Sequence, residues 1–358
     1  MPRKHRHLFE KVITLENLFA AAENASRGRS GKVPVARGFA ELEKTVVTLR
    51  DELLAGTWQP GRYYYFTITD PKEREVAAAP FRDRVVHHAL VRVLEPIFEP
   101  RFIVDSFACR PGKGTHAALA RAREFTRSHR YCLKCDIKKY FPNIDHALLL
   151  REVGRAVDDA RVLELIGRIL ASHADGAAQE WRAGAGLFDV EQRPRGLPIG
   201  NLTSQFLANV HLHPLDLFVK QTLRVKGYVR YVDDFLLFGD DRAALKAHGQ
   251  RVREFVRTLR LRVHPDKFRL SRTEQGVDFV GFVAFPDGRI RVRDSNVRRF
   301  TRRLRRQAWC VRTGRMDFDD LCQRACSWAA HAGHAQSRGL LQDIFSGIFH
   351  LPNKGSWA

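Results

Sequence analysis

The sequence predicts an α+β fold, on three observations. Apolar residues at helical spacing dominate both ends of the chain, and short β-rich runs gather between them. Hydrophobic residues make up 44% of the 358, enough for a sizeable buried core and too many for wholesale disorder.

From the N-terminus, Leu8, Val12, Leu15, Leu18 and Phe19 keep helical spacing. The basic run Arg27-Gly28-Arg29-Ser30-Gly31-Lys32 breaks it. Phe39, Leu42, Val46, Leu49 and Leu53 mark a second helix, ended near Gly56 and Pro60. Tyr63 to Thr69 and Glu75 to Ala79 are β-rich and suggest a hairpin across Asp70-Pro71-Lys72. Helices are expected from Asp83 to Phe98 and from Ala117 to Thr126, then an apolar strand from Tyr131 to Ile137. Helices follow from Ile144 to Ala171. Residues 173–195, rich in Gly, Ala and Arg with weak periodicity, read as a loop with room for a short hairpin.

Leu202 to Leu223 is helical, and Gly227 stops it. Tyr228-Val229-Arg230-Tyr231 and Phe235-Leu236-Leu237-Phe238 then flank Val232-Asp233-Asp234, a tight hairpin with two acids at its tip. Asp241 to Leu259 is a helix, and strands are expected near Phe268 to Ser271 and Phe279 to Phe285. The remainder is helical and basic, from Val297 through Arg306 and from Phe318 to Phe349. No internal repeat or low-complexity linker divides the chain.

Lys+Arg number 61 against 40 Asp+Glu, a net charge of +21. On a folded body that excess points first to nucleic acid, then to an acidic membrane surface. No apolar run approaches the ~18 residues of a membrane span. The start, MPRKHRHLFEKVITLENLF, has neither the apolar run nor the cleavage site of a signal peptide. Six cysteines (Cys109, Cys132, Cys135, Cys310, Cys322, Cys326) in so long a chain are no disulfide framework. A reduced, cytoplasmic protein is expected.

Chemistry is concentrated in the acids. Adjacent carboxylates at the tip of a packed hairpin are costly unless each meets a cation or hydrogen-bond donors, and a divalent metal answers that need. Asp158-Asp159, Asp240-Asp241 and Asp319-Asp320 read as solvated turns, whereas apolar β residues surround Asp233 on both sides. Asp136 ends a second strand, whereas Asp145 suits a helix cap. Two-metal phosphoryl transfer uses carboxylates from separate strands to hold Mg²⁺ ions about 4 Å apart, and hard oxygen ligands suit Mg²⁺.

The order of blocks resembles bacterial reverse transcriptases of the group II intron and retroelement lineage. Residues 79–90 (APFRDRVVHHAL) resemble the first fingers motif and 107–116 (FACRPGKGTH) the second. Residues 135–141 (CDIKKYF) resemble palm motif A, 195–205 (RGLPIGNLTSQ) motif B, and the Asp233 hairpin motif C; Lys267 and Gly281 stand where motifs D and E would be. The resemblance spans about residues 1–350. It implies a right-hand polymerase with fingers at 1–130, a palm with an antiparallel sheet at 131–290, and a small helical thumb at 291–358.

It also implies site roles. Asp136 and Asp233, with Ile137, would hold two Mg²⁺ ions, Mn²⁺ being able to substitute, and Asp234 would complete the acidic face. Arg110, aided by Lys72 and Arg74, would clamp the incoming triphosphate. Phe141 would exclude a ribose 2′-OH, Gly200 and Gln205 would line nucleotide and template, and Lys267 would protonate pyrophosphate. Arg298, Arg299, Arg302, Arg303, Arg305 and Arg306 would track duplex phosphates. The partners implied are template RNA and primer, the RNA–DNA hybrid and dNTPs, with no membrane.

Ile199-Gly200-Asn201-Leu202-Thr203-Ser204-Gln205 has the IGxxxSQ form and resembles reverse transcriptases of diversity-generating retroelements, as does the opening from Lys4 to Leu18. That resemblance implies copying with errors at adenine and a small accessory protein. Because two basic proteins repel, RNA or acidic patches such as Asp158-Asp159 would mediate docking. An antiviral defence reverse transcriptase is the alternative, and an RNA-binding scaffold with a dead site the third reading. Nothing past the thumb resembles an RNase H or an HNH nuclease, so any target nicking would fall to host or partner factors. Cys132 and Cys135 would face opposite sides of a strand, and Cys322 and Cys326 are expected to pack a thumb core rather than join His331 and His334 around zinc.

Overall fold

The structure, a computed structural model, describes residues 4–27, 41–69, 73–173 and 193–349. Lys72, the turn around it, the basic break from Gly28 onward and residues 174–192 of the expected loop lie outside the described residues. Contacts divide the chain into two units.

The first unit comprises Met1–Val104, Asp136–Arg224 and Gln250–Pro265. It begins with helices α1 (Leu8–Val12), α2 (Leu15–Ser26) and α3 (Leu42–Ala55). Thr14 caps α2, its hydroxyl accepting from the Asn17 N–H. A hairpin of β1 (Tyr64–Ile68) and β2 (Arg74–Ala78) follows in antiparallel register, Tyr64 opposite Ala78 and Ile68 opposite Arg74. The long helix α4 (Phe81–Phe98) is central: α2 packs along it, and Leu18, Ala21 and Ala22 of α2 and Val85, Val86 and Leu90 of α4 are all buried.

The second unit comprises Asp105–Cys135, Val225–Gly249 and Asp266–Ala358. Helix α5 (Thr115–Ser128) leads into β3 (Tyr131–Asp136), whose last residue counts with the first unit. Back in the first unit come α6 (Tyr140–Asn143), α7 (His146–Gly154), α8 (Ala160–Ala171) and α9 (Leu202–Leu217). Strands β4 (Gly227–Tyr231) and β5 (Asp234–Gly239) are followed by α10 (Arg242–Thr258) and β6 (Arg269–Arg272). The sheet order is β4-β5-β3-β6. Phe107, Ala118, Phe125, Cys132, Val229, Leu236, Phe238 and Phe279 form the core between α5 and this sheet.

The strand expected at Phe279 to Phe285 is instead two. Strand β7 (Val277–Phe279) turns through Val280 and Gly281, φ 44° and 94°, into β8 (Phe282–Ala284), with Phe279 opposite Phe282. Positive φ at both turn residues is the tight hairpin geometry that matches strand twist. Strand β9 (Ile290–Val292) completes this small sheet.

Helices α11 (Asp294–Arg312), α12 (Phe318–Ala332) and α13 (Arg338–Phe349) close the chain around Phe300, Leu304, Ala308, Leu321, Ala325, Ile344 and Ile348. The cysteines expected in this core are not there: Cys326 is exposed and Cys322 half-buried. The core stripe is set by Leu321 and Ala325, one residue earlier on the same helix, and a one-residue step turns a helical position by about 100°.

Of the acid pairs read as solvated turns, Asp319-Asp320 stands instead in the first turn of α12, and the other two, though largely exposed, also tie neighbouring elements together. Asp159 caps α8 and accepts from the N–H groups of Leu8 and Phe9, and Arg6 binds Asp158 at 2.7 Å. Asp240 accepts from the Arg130 N–H at 2.9 Å, and Asp241 caps the start of α10. No helix of the described residues is long and apolar enough to cross a membrane.

Candidate active site

The acid-bearing hairpin is closed by the pair Tyr231 and Asp234, leaving Val232 and Asp233 as a two-residue turn. Asp234 therefore opens β5 rather than standing at the tip. Val232 has φ 54°, a conformation a β-branched residue adopts only when its surroundings hold it there, at a cost of roughly 1–3 kcal/mol. Three contacts anchor the hairpin within its unit. The Arg230 N–H donates to the Asp105 carbonyl at 2.9 Å, and the Phe107 N–H donates to the Arg230 carbonyl at 3.0 Å. The Tyr231 hydroxyl lies 3.1 Å from Thr115 Oγ1.

Arg230 itself is fully buried, with Nη1 donating to the Val232 carbonyl at 3.1 Å. Lys134 Nζ stands 3.8 Å from Asp234 Oδ2 and donates to the Asp278 carbonyl at 2.7 Å. Sequence reasoning missed both cations. Their alternation along strands whose other residues are apolar was the available signal.

Asp136 closes β3, the strand beside β5 in the sheet order. Its carbonyl accepts the His264 N–H at 2.7 Å, and the Lys138 N–H donates to the Arg262 carbonyl. The Ile137 side chain is buried, so only its backbone could serve a ligand.

Phe141, on the one-turn helix α6, is half-buried; its neighbour Tyr140 is the core aromatic, its hydroxyl donating to the Ala208 carbonyl at 2.6 Å. The Phe141 carbonyl accepts the Leu197 N–H at 2.9 Å, which ties α6 to the segment before α9. That segment is further held by the Gly196 N–H on the Ile144 carbonyl and by His146 Nε2, 2.7 Å from the Gly196 carbonyl. Asp145 caps α7, as expected, and also takes Arg193 at 3.0 Å and Arg260 at 2.7 Å. Burial pushes its carboxyl up, but the Leu148 N–H and the two guanidiniums prevail and hold it below the usual range.

Gly200 has φ 112°, and a Cβ there would come within 2.7 Å of Val76 Cγ1. The backbone approaches β2 this closely because the Ala77 N–H donates to the Ile199 carbonyl and Asn201 Nδ2 donates to the Ala77 carbonyl. Gln205 is exposed on α9 and borders a polar pocket of ≈ 230 Å³ shared with Asn24, Arg27, Arg84, His87 and Asn201. Burial pushes the His87 imidazole down to about 3, so it is neutral. The pocket's cations were not anticipated.

Arg110 lies in the turn before α5, its Nη1 donating to the Ser106 carbonyl at 2.7 Å. Arg74 is exposed at the start of β2, and Lys267 half-buried in the turn before β6. On α11, Arg298, Arg302, Arg303, Arg305 and Arg306 are exposed opposite the buried stripe, while half-buried Arg299 binds Asn296. His334 stacks on His116 and His331 meets Phe282 in a tilted ring contact, so each histidine has an aromatic partner away from the cysteines. Among the described residues no group of three or more His, Cys, Asp and Glu forms a ready metal cage.

The strand that ends at Asp136 neighbours β5 in the sheet order, and the chain carries a net charge of +21. The family model for reverse transcriptase (RNA-dependent DNA polymerase) matches residues 69–284, more than half of the chain, and the chain belongs to that family; it is an RNA-directed DNA polymerase. It is 29% identical to Protein YkfC of Escherichia coli (strain K12), over 68% of this chain and 71% of YkfC. It is also 29% identical to the group II intron-encoded protein LtrA of Lactococcus lactis subsp. cremoris, over 61% of this chain. The matched part is only 35% of LtrA's length. Nuclear intron maturase 2, mitochondrial, of Arabidopsis thaliana is 28% identical over 36% of this chain and 20% of its own length.

Proposed function

We propose that this chain copies an RNA template into cDNA as a right-hand polymerase, with fingers at 1–130, palm at 131–290 and thumb at 291–358. The observation that supports the catalytic reading is the sheet order: the strand ending at Asp136 neighbours the strand beginning at Asp234. Carboxylate and carbonyl oxygens are hard donors and fit Mg²⁺, which uses one or two carboxylates plus substrate phosphates rather than an all-protein cage. Asp136, Asp233 and Asp234, with the Ile137 carbonyl, would hold it. Bound there, the ions supply Lewis acidity and offset charge developing on the transferred phosphoryl group.

The remaining roles belong to the chain itself. Arg110, Lys72 and Arg74 neutralise and orient the triphosphate, and Lys267 delivers a proton to the leaving pyrophosphate. Phe141 stands where a 2′-OH would have to fit. Gly200 and Gln205 face the templating pair, and the exposed α11 arginines hold duplex phosphates. The IGxxxSQ form supports a place in a diversity-generating retroelement, with errors at adenine and an accessory protein that supplies template selectivity.

Asp233→Asn is the test. Mg²⁺-dependent dNTP incorporation on a primed RNA template should vanish while RNA affinity stays nearly intact, because carboxylates hold metal and the cationic surface holds nucleic acid. Incorporation within about tenfold of the unsubstituted protein would remove Asp233 from the site. Sequencing the wild-type cDNA reads the lineage: substitutions concentrated opposite template adenines support the retroelement role, and a uniform error spectrum overturns it.

A further inference from the structure

We infer that Arg230 is a positioning residue for Asp233: its buried guanidinium holds the Val232 carbonyl and so keeps the acid-bearing turn in its left-handed conformation. The inference rests on the reading of Asp233 as a metal ligand and adds to it the device that fixes this ligand's backbone.

Two facts require such a device. In a two-residue hairpin turn whose first position alone has positive φ, glycine is the usual occupant, because any Cβ is crowded there. Here that position is Val232, at φ 54°. Left to itself, a valine would relax toward negative φ and take the next residue with it. The second fact is the arginine. A guanidinium with no exposure is costly to bury unless its donors are used, and Arg230 uses Nη1 on the Val232 carbonyl, two residues along its own strand.

The geometry explains what the contact does. A peptide unit is planar, so holding the Val232 carbonyl also fixes the Asp233 nitrogen and Cα. The strand that carries Arg230 is itself held at both backbone groups, by Asp105 and Phe107. The next residue is held through the Tyr231 hydroxyl at Thr115. The guanidinium therefore pushes from a fixed base. Lys134, near Asp234, acts on the other acid and cannot replace it.

The test compares Arg230→Gln, Val232→Gly and the double variant Arg230→Gln/Val232→Gly by single-nucleotide incorporation over a range of Mg²⁺ concentrations, and by Mn²⁺ binding to the protein without nucleotide, read from water-proton relaxation, which should weaken and recover in parallel. Arg230→Gln should raise the half-saturating Mg²⁺ concentration about tenfold, the effect of losing one charge-assisted hydrogen bond to a part-buried acceptor. Glycine needs no prop at positive φ, so the double variant should return to within about threefold of the unsubstituted protein. A residue that merely packs the sheet would show no such rescue.

An unchanged Mg²⁺ dependence in Arg230→Gln, or a double variant no better than Arg230→Gln, overturns the inference. Should Arg230→Gln fail to fold, Arg230→Lys keeps the buried charge and loses the fork. Its half-saturating Mg²⁺ should still rise, and an unchanged curve overturns the inference equally. Asp233→Asn run alongside separates the two ideas: if it abolishes incorporation while the glycine rescue fails, the metal reading stands and the role of Arg230 falls.

Discussion

Two backbone turns, one in each unit, meet the same steric problem differently. At Gly200 the chain takes φ 112° and presses against β2, and the side chain is simply absent. At Val232 the chain takes φ 54° with a β-branched side chain in place, and Arg230 holds the result. Leaving out a side chain suits a position where a neighbour occupies the space, since Val76 Cγ1 would sit 2.7 Å from a Cβ. Retaining one under strain suits a position where the turn must be rigid, because glycine would add freedom as well as relief. Positive φ has two causes in this protein, close approach and enforced geometry.

The largest expected effect breaks that comparison at its glycine side. Gly200→Ala adds a Cβ into occupied space at a φ unfavourable to alanine, a penalty of roughly 1–3 kcal/mol before the clash is counted. Its melting temperature should fall by several degrees and incorporation by about tenfold or more, since β2 and the start of α9 must part. Val232→Gly should leave the melting temperature nearly unchanged. If Gly200→Ala melts like the unsubstituted protein, the close approach to β2 is not a constraint.

A smaller effect separates the sides by what they control. Phe141 is tied to the Gly200 segment through its carbonyl, which a side-chain substitution leaves in place. Phe141→Ala should raise rNTP relative to dNTP incorporation by about one order of magnitude, because a clash rather than a hydrogen bond rejects the 2′-OH. Its Mg²⁺ dependence should stay put, in contrast to changes at Arg230. Unchanged sugar selectivity in single-turnover assays would assign Phe141 to packing.

The smallest effect is a pH dependence confined to the Gly200 side. His87, in the pocket beside Gln205, is pushed by burial from 6.5 to about 3, and His211 to about 4. Each folded-state value lies below the unfolded one, so the unfolded chain binds more protons between them. The stability that each contributes is complete above pH 6.5 and is lost as pH falls toward the folded value. The melting temperature should therefore drop between pH 7 and pH 4.5, and His87→Gln should flatten part of that drop. An identical slope in both proteins would place the acid sensitivity elsewhere.

Much of this was legible in order along the chain. The hairpin at Tyr64–Ala78, the strand ending at Asp136 and the acid-bearing hairpin are written in local periodicity and turn chemistry, which need only near neighbours. The cap at Asp145 was legible for the same reason. Its bonds to Arg193 and Arg260 were not, because those partners are 48 and 115 residues away. The cysteines of α12 were misread since a core stripe is chosen by the facing helices and not by the residue's own preference.

The sequence by itself determined the acids, the blocks in which they stand and the cationic excess, since composition, alternation and spacing are properties of the chain alone. Only the tertiary structure decided that Arg230 is buried under the Val232 carbonyl, that Lys134 faces Asp234, and that Gly200 lies against Val76. Those pairings join residues in different strands or loops, or turn on a dihedral angle, and a linear pattern records neither distance nor φ.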